Sequence, residues 1–234
     1  RSILEEAPDA GGAATGLADL LDRRGDVSGA QDVLRRLIDA APTHAHVLAA
    51  ARLWQRWEGS AVVRAALTGH GTLDSLADHL RVASAQAGVP AAVYCSGFDQ
   101  WAQDLLPPTS PLYAFAPDVV FLRLDPAALF PRTAADPFAD ADALDAERRD
   151  GIAQVRGLLE ALARSAPAAT VVVHTFPLPE FAPLGVADLT APESQRARFE
   201  ALNADLIALI RERAPRALAL DQERLEARFG KERV

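Results

Sequence analysis

The sequence predicts an α/β fold: a parallel sheet with helices on both faces, preceded by a small helical subdomain. Three observations predict it. Short, unbroken apolar runs recur along the chain, segments with helical periodicity separate them, and the stretch before the first run has helical periodicity alone. Unbroken apolar strands alternating with helices are what a sheet buried on both faces requires.

The elements follow in order. Residues 1–15 are rich in Gly, Ala and acidic residues, show no periodicity and read as a flexible lead. Leu17, Leu20 and Leu21 give a short helix ending near Gly25, and Val33, Leu34 and Leu37 a second, stopped by Ala41-Pro42. His46 to Trp57 reads as a third helix, so residues 16–58 form a small helical subdomain with no second copy of any unit. The α/β domain is expected over 59–234. Its strands are Val62–Leu67, Ala91–Cys95, Val119–Leu122, Thr170–Val173 and Ala217–Leu220. Helices near Leu73–Leu80, Trp101–Leu106, Ala143–Ala163 and Glu193–Arg213 connect them, and 126–142 and 175–192 read as Pro-rich loops.

Composition narrows the function. The 234 residues suffice for one α/β domain with an appendage, and 50% apolar content supplies a substantial core. A net charge of −8 argues against nucleic acid as a partner, because phosphate neutralisation needs a surplus of Lys and Arg on one face. The single Cys excludes an internal disulfide or a multi-thiolate metal site and fits a reducing compartment. No run of 18 apolar residues and no secretory pattern occur, so the expected chain is cytoplasmic, with no membrane partner. Met is absent, which makes Arg1 read as an internal start.

Ligands of open parallel sheets bind beyond the carboxyl ends of the strands. The segments there are Gly69-His70-Gly71-Thr72, Ser96-Gly97-Phe98-Asp99-Gln100, Arg123-Leu124-Asp125, His174-Thr175 and Asp221-Gln222-Glu223-Arg224. The first turn lacks the dinucleotide and phosphate-loop signatures; it reads as a tight turn with Thr72 as helix cap, or as an anion cradle of backbone N–H groups. His70 and His174 are acid–base groups or an oxyanion partner on one reading, and plain structural histidines on the other. Cys95 is a buried inert thiol or a nucleophile. Asp99 and Gln100 cap a helix or contact a ligand. Asp104, Asp136, Asp140 and Asp142 show no ligand spacing, so no metal is expected. His70, Asp99, Asp125, His174 and Asp221 are expected to border one concave site.

Taken in order, these segments resemble the amino-terminal half of the FkbH-like proteins, in which an SGNH-hydrolase-like (flavodoxin-like) domain precedes a HAD-type phosphatase domain. The resemblance rests on Thr72-Leu73-Asp74-Ser75-Leu76, Gly97-Phe98-Asp99-Gln100-Trp101 and Leu112-Tyr113-Ala114-Phe115-Ala116-Pro117-Asp118-Val119-Val120. It continues through Thr175-Phe176-Pro177-Leu178-Pro179, Pro183-Leu184-Gly185, Leu202-Asn203 and Leu220-Asp221, and spans roughly residues 60–230. It implies polyketide biosynthesis: dephosphorylation of 1,3-bisphosphoglycerate and loading of the three-carbon glyceryl unit as a thioester on an acyl carrier protein. The HAD signature is not in this sequence, so the phosphatase domain and its Mg are expected after residue 234, with no cofactor in this part.

The SGNH pattern is itself altered. Where such a hydrolase has Gly-Asp-Ser, this chain has Gly69-His70-Gly71, and three residues past Asp221, where the fold supplies its His, stands Arg224. A Ser–His mechanism therefore lacks nucleophile and base. The implied role is to position the carrier or glyceryl group. The alternatives are a catalytically silent carrier-docking or scaffold domain, and an esterase or acyltransferase using Cys95 or His70. Arg196, Arg198, Arg211, Arg213 and Arg216 are the candidate basic patch for an acidic carrier.

Overall fold

The computed structural model describes residues 10–136 and 138–230. Its strands are β1 (Val63–Gly69), β2 (Ala91–Cys95), β3 (Val119–Arg123), β4 (Thr170–His174) and β5 (Ala217–Leu220), in one parallel sheet of order β2-β1-β3-β4-β5. Helices connect and flank them. The fold class is the one the sequence predicts. In the resolved register Val120 faces Val171 and Leu122 faces Val173, while Val173 faces Ala219. Val120, Leu122, Val171 and Val173 are buried, whereas their neighbours Phe121 and Val172 are only half-buried.

The chain divides into two compact units. One comprises the residues up to Ala65 with Leu73–Cys95; the other comprises Ala66–Thr72 with the residues from Ser96 onward. In the first unit lie α1 (Ala10–Arg23), α2 (Val27–Ala40) and α3 (His44–Arg56). Ala10–Thr15, expected as part of a flexible lead, belong to α1; the rest of that lead, 1–9, lies outside the described residues. Thr15 Oγ1 donates back to the Gly11 carbonyl at 3.0 Å, inside the helix. Asp26 caps α2 through Gly29 N at 2.9 Å, and Thr43 caps α3 through His46 N at 3.3 Å. Leu34, Val47, Leu53 and Trp54 form the core of this layer, and Val82 and Ala85 of α4 (Asp74–Gln86) belong to it.

Arg81 of α4 ties that unit internally. Its Nε donates to Glu58 at 2.7 Å, Nη1 to Asp78 at 3.0 Å and Nη2 to the Val93 carbonyl at 3.0 Å. The helix starts one residue after Leu73, which makes no side-chain cap, so Thr72 is not the N-cap that the sequence suggested.

In the second unit follow α5 (Trp101–Leu105), α6 (Pro111–Ala114), α7 (Pro126–Leu129), α8 (Pro131–Ala135), α9 (Ala141–Ser165), α10 (Gln195–Arg213) and α11 (Gln222–Phe229). The 126–142 stretch, expected as a loop, contains α7, α8 and the start of α9. The reason is local. Pro126 and Pro131 each take the first helical position, where the missing N–H costs nothing, and Asp125 Oδ1 accepts from Ala127 N at 2.9 Å. The Glu147 carboxylate accepts from Arg132 N and Thr133 N, both at 2.9 Å, and takes up the free donors at the start of α8. Among the described residues no helix is long and apolar enough to cross a membrane.

Candidate functional site

The site is built where β1 and β3 end. Gly69 closes β1 with φ of 141°, a conformation only glycine holds without strain, and a Cβ there would overlap the Arg123 carbonyl oxygen. The two ends are then laced: His70 N donates to Arg123 O at 2.9 Å, and Arg123 Nη1 donates to His70 O at 3.0 Å. Gly71, with φ of 84°, lets the chain turn away while leaving room for that guanidinium.

His70 is 8% exposed. Its Nδ1 accepts from Asp125 N at 3.1 Å, and the Trp101 ring packs on it with centroids 4.7 Å apart. A backbone N–H pointing at Nδ1 requires a lone pair there, which places the proton of the neutral ring on Nε2. Burial pushes this imidazole below the ordinary His range; the Asp125 and Asp99 carboxylates pull the other way, and Arg123 adds to the push. Chemically, His70 is a fixed neutral hydrogen-bond donor rather than a base.

β4 runs parallel beside β3, and one residue past the Leu122–Val173 pair brings Arg123 alongside His174. Burial also holds His174 below the usual range; a hydrogen bond with the Gln222 side chain opposes this, and the Arg123 cation reinforces it. Gln222 is held at the start of α11, where its N donates to Thr175 Oγ1 at 3.0 Å. The rim therefore has two unlike halves. Carboxylates act on His70, whereas the only charge acting on His174 among the described residues is Arg123.

A solved structure shares this fold. The chain is similar to the crystal structure of the N-terminal part of a Bacteroides fragilis protein containing a phosphatase domain, complexed with Mg, with a TM-score of 0.63 and 18% identity. The match covers 81% of this chain and 48% of that one, so the chain spans about half that length. At this identity the likeness is one of fold. No family model matches the sequence, and no curated protein matches it.

The residues here do not suit the Mg of that structure. Among the described residues no group of three or more His, Cys, Asp or Glu side chains is placed to hold a metal ion. Mg²⁺ favours carboxylate and water oxygens, and at this rim the Asp125 carboxylate is occupied in capping α7.

The sequence-predicted residues fall into place unequally. His70, Asp99 and Asp125 come together, with Gly69 and Gly71 shaping the turn, and His174 joins them through Arg123. Gly97 and Gln100 make a turn of their own, Gln100 N donating to Gly97 O at 3.0 Å, and this turn holds Asp99 at φ of 54°. Asp221 is turned to the start of α11, accepting from Arg224 N at 3.0 Å. Thr72 is exposed. Cys95 ends β2 in the first unit and is half-buried.

Of the candidate basic patch, Arg196 pairs with Glu200 at 2.8 Å and Arg198 donates to the Glu193 carbonyl at 3.2 Å. Arg211 and Arg216 are exposed, and the Arg213 side chain lies outside the described residues. Three residues carry roles that the sequence reading did not assign: Arg123, Trp101 and Gln222. Arg123 had a signal, since it is the last residue of an apolar strand and the only charge in it.

Proposed function

We propose that this chain is the amino-terminal SGNH-like domain of an FkbH-like glyceryl-transferring enzyme, acting as a binding and positioning domain. The observation that carries the reading is the state of His70. It occupies the place of the hydrolase nucleophile turn, yet its Nδ1 is committed to Asp125 N, and no Ser accompanies it in Gly69-His70-Gly71. A rim with a fixed donor and a cation, but no activated nucleophile, suits holding a polar group rather than cleaving an ester. The fold likeness to the N-terminal part of a phosphatase-domain protein supports the pairing of such a domain with a phosphatase. Fold by itself does not fix function; the ordered set of strand-end segments adds the specificity.

On this reading the phosphatase chemistry belongs to a HAD-type domain following residue 234, and the protein works in the cytoplasm. In the loading step the thiolate sulfur bonds the acyl carbon of 1,3-bisphosphoglycerate. The bond from that carbon to the phosphate oxygen breaks and the first phosphate leaves; water then cleaves the remaining phosphate monoester at the HAD-type domain, releasing a second inorganic phosphate and leaving the glyceryl thioester.

The test is mass spectrometry of an acyl carrier protein incubated with the whole protein and 1,3-bisphosphoglycerate. A glyceryl thioester on the carrier is the expected product, and no adduct would reject the reading. The chain is also expected to leave short acyl esters intact. Steady ester turnover abolished by Cys95→Ala or His70→Ala would favour a hydrolase with a non-Ser nucleophile instead.

A further inference from the structure

We infer that Arg123 and His174 form the oxyanion-holding end of a ligand site on the carboxyl rim of the sheet, with Asp99 and His70 facing the ligand's hydroxyl groups. The ligand class is a small hydroxylated oxyanion, a carboxylate or a phosphate monoester. This deepens the glyceryl proposal and rests on it for the size of the ligand; the anion end rests on the geometry.

The cation is held in place before any ligand arrives. Arg123 is the last residue of β3; its backbone is pinned by His70 N and by the close approach of Gly69, and its Nη1 is tied to a neutral carbonyl at 3.0 Å. No carboxylate lies within ion-pair distance of it among the described residues. A guanidinium fixed by a carbonyl keeps further N–H groups in a planar fork that matches two oxygens of one anion. His174 follows Val173 in β4 and so stands beside Arg123 by strand register, with Arg123 the charge that acts on its ring.

The opposite half has the complementary chemistry. His70 presents an Nε2–H donor, and Asp99 is exposed, with φ of 54°. A neutral donor next to a carboxylate acceptor pairs well with hydroxyl groups, which both donate and accept. An anion placed on that half would meet the carboxylates that act on His70, Asp99 and Asp125, whereas the charge that acts on His174 is the Arg123 cation.

An oxyanion seated beside His174 stabilises the imidazolium form, so binding reports on the ring directly. The experiment is an NMR titration of the histidine Cε1–H resonances of the full chain with inorganic phosphate, D-glycerate and glycerol 1-phosphate in parallel, with neutral glycerol as the reference. The expected result is a saturable shift of the His174 resonance, with its titration midpoint raised in the presence of anion. Arg123→Gln is expected to weaken binding at least tenfold, and Arg123→Lys, which keeps a donor for the His70 carbonyl, to retain part of it.

Response to glycerate alone assigns the site to carboxylates, and response to the two phosphates alone assigns it to phosphoryl groups. The inference is overturned if none of the three anions shifts His174 saturably, if glycerol does so equally, or if Arg123→Gln binds as the parent does. Carrier loading by the whole protein reads the glyceryl proposal separately. Anion binding without loading leaves this site standing, whereas loading by a protein whose His174 ignores all three anions removes this site alone.

Discussion

At Gly69 the φ of 141° and the Arg123 carbonyl directly opposite leave no space for a side chain. Gly69→Ala is therefore expected to destabilise the protein by about 2–4 kcal/mol, combining backbone strain with overpacking. Gly16→Ala, inside α1 with open space around it, should instead stabilise by about 1 kcal/mol. Urea unfolding of both variants checks the contrast; equal effects would show that the β1–β3 junction yields freely. His70 and His174 give a second prediction. Burial holds both folded rings below the roughly 6.5 expected for an unfolded His, so the unfolded chain binds more protons as the pH falls. Their stability contribution is thus complete above about pH 6.5 and is lost as the pH falls through the folded values. The melting temperature should hold steady near pH 7.5 and decline toward pH 5.5, with a shallower decline in His174→Gln. Calorimetry across that window showing parallel declines would remove His174 from the account.

The segment that follows β4 is held by two side chains, Asn203 and Glu223, that lie far from it in the sequence. Asn203 of α10 makes a two-way bridge to Phe176: its Oδ1 accepts from Phe176 N and its Nδ2 donates to Phe176 O, both at 2.8 Å. Leu178 N donates to Glu223 at 3.1 Å just beyond. The start of the 175–192 stretch, which reads as a plain loop in the sequence, is therefore tied down at the carboxyl end of β4. Asn203→Ala leaves the backbone N–H and C=O of fully buried Phe176 without those partners and should cost about 1–3 kcal/mol. Because Thr175 also positions Gln222, the same substitution should raise hydrogen exchange at Gln222 N as well as at Phe176 N. Exchange unchanged at both amides would mean that the bridge does not fasten this segment.

On the scale of the molecule, the helical layer is not self-contained. Val82 and Ala85 of α4 sit in one apolar cluster with Ala18, Leu34, Val47 and Trp54, so α1–α3 complete their core with a helix that lies between two strands in the sequence. A fragment of residues 10–60 lacks that helix, and short isolated helices are marginal in water. It is expected to unfold without a cooperative transition in circular dichroism. A sharp two-state melt of that fragment would show instead that the three helices suffice.

Local pattern carried the sheet. The apolar runs at 91–95, 119–122, 170–173 and 217–220 read as strands because they are short, unbroken and separated by helix-period segments, and parallel pairing follows from the crossovers between them. The rule that ligands meet parallel sheets at their carboxyl ends brought His70, Asp99, Asp125 and His174 to notice without coordinates. The helices α7 and α8 were hidden because each is four or five residues long, set by a Pro at its first turn, and too short to show a period. Only the tertiary structure decided what the site residues are. The tautomer of His70 depends on an N–H 55 residues away, and the anchoring of Arg123 on a carbonyl 53 residues away. Such bonds are fixed by which strands lie side by side and in what register, and periodicity within a strand sets only which face each side chain takes.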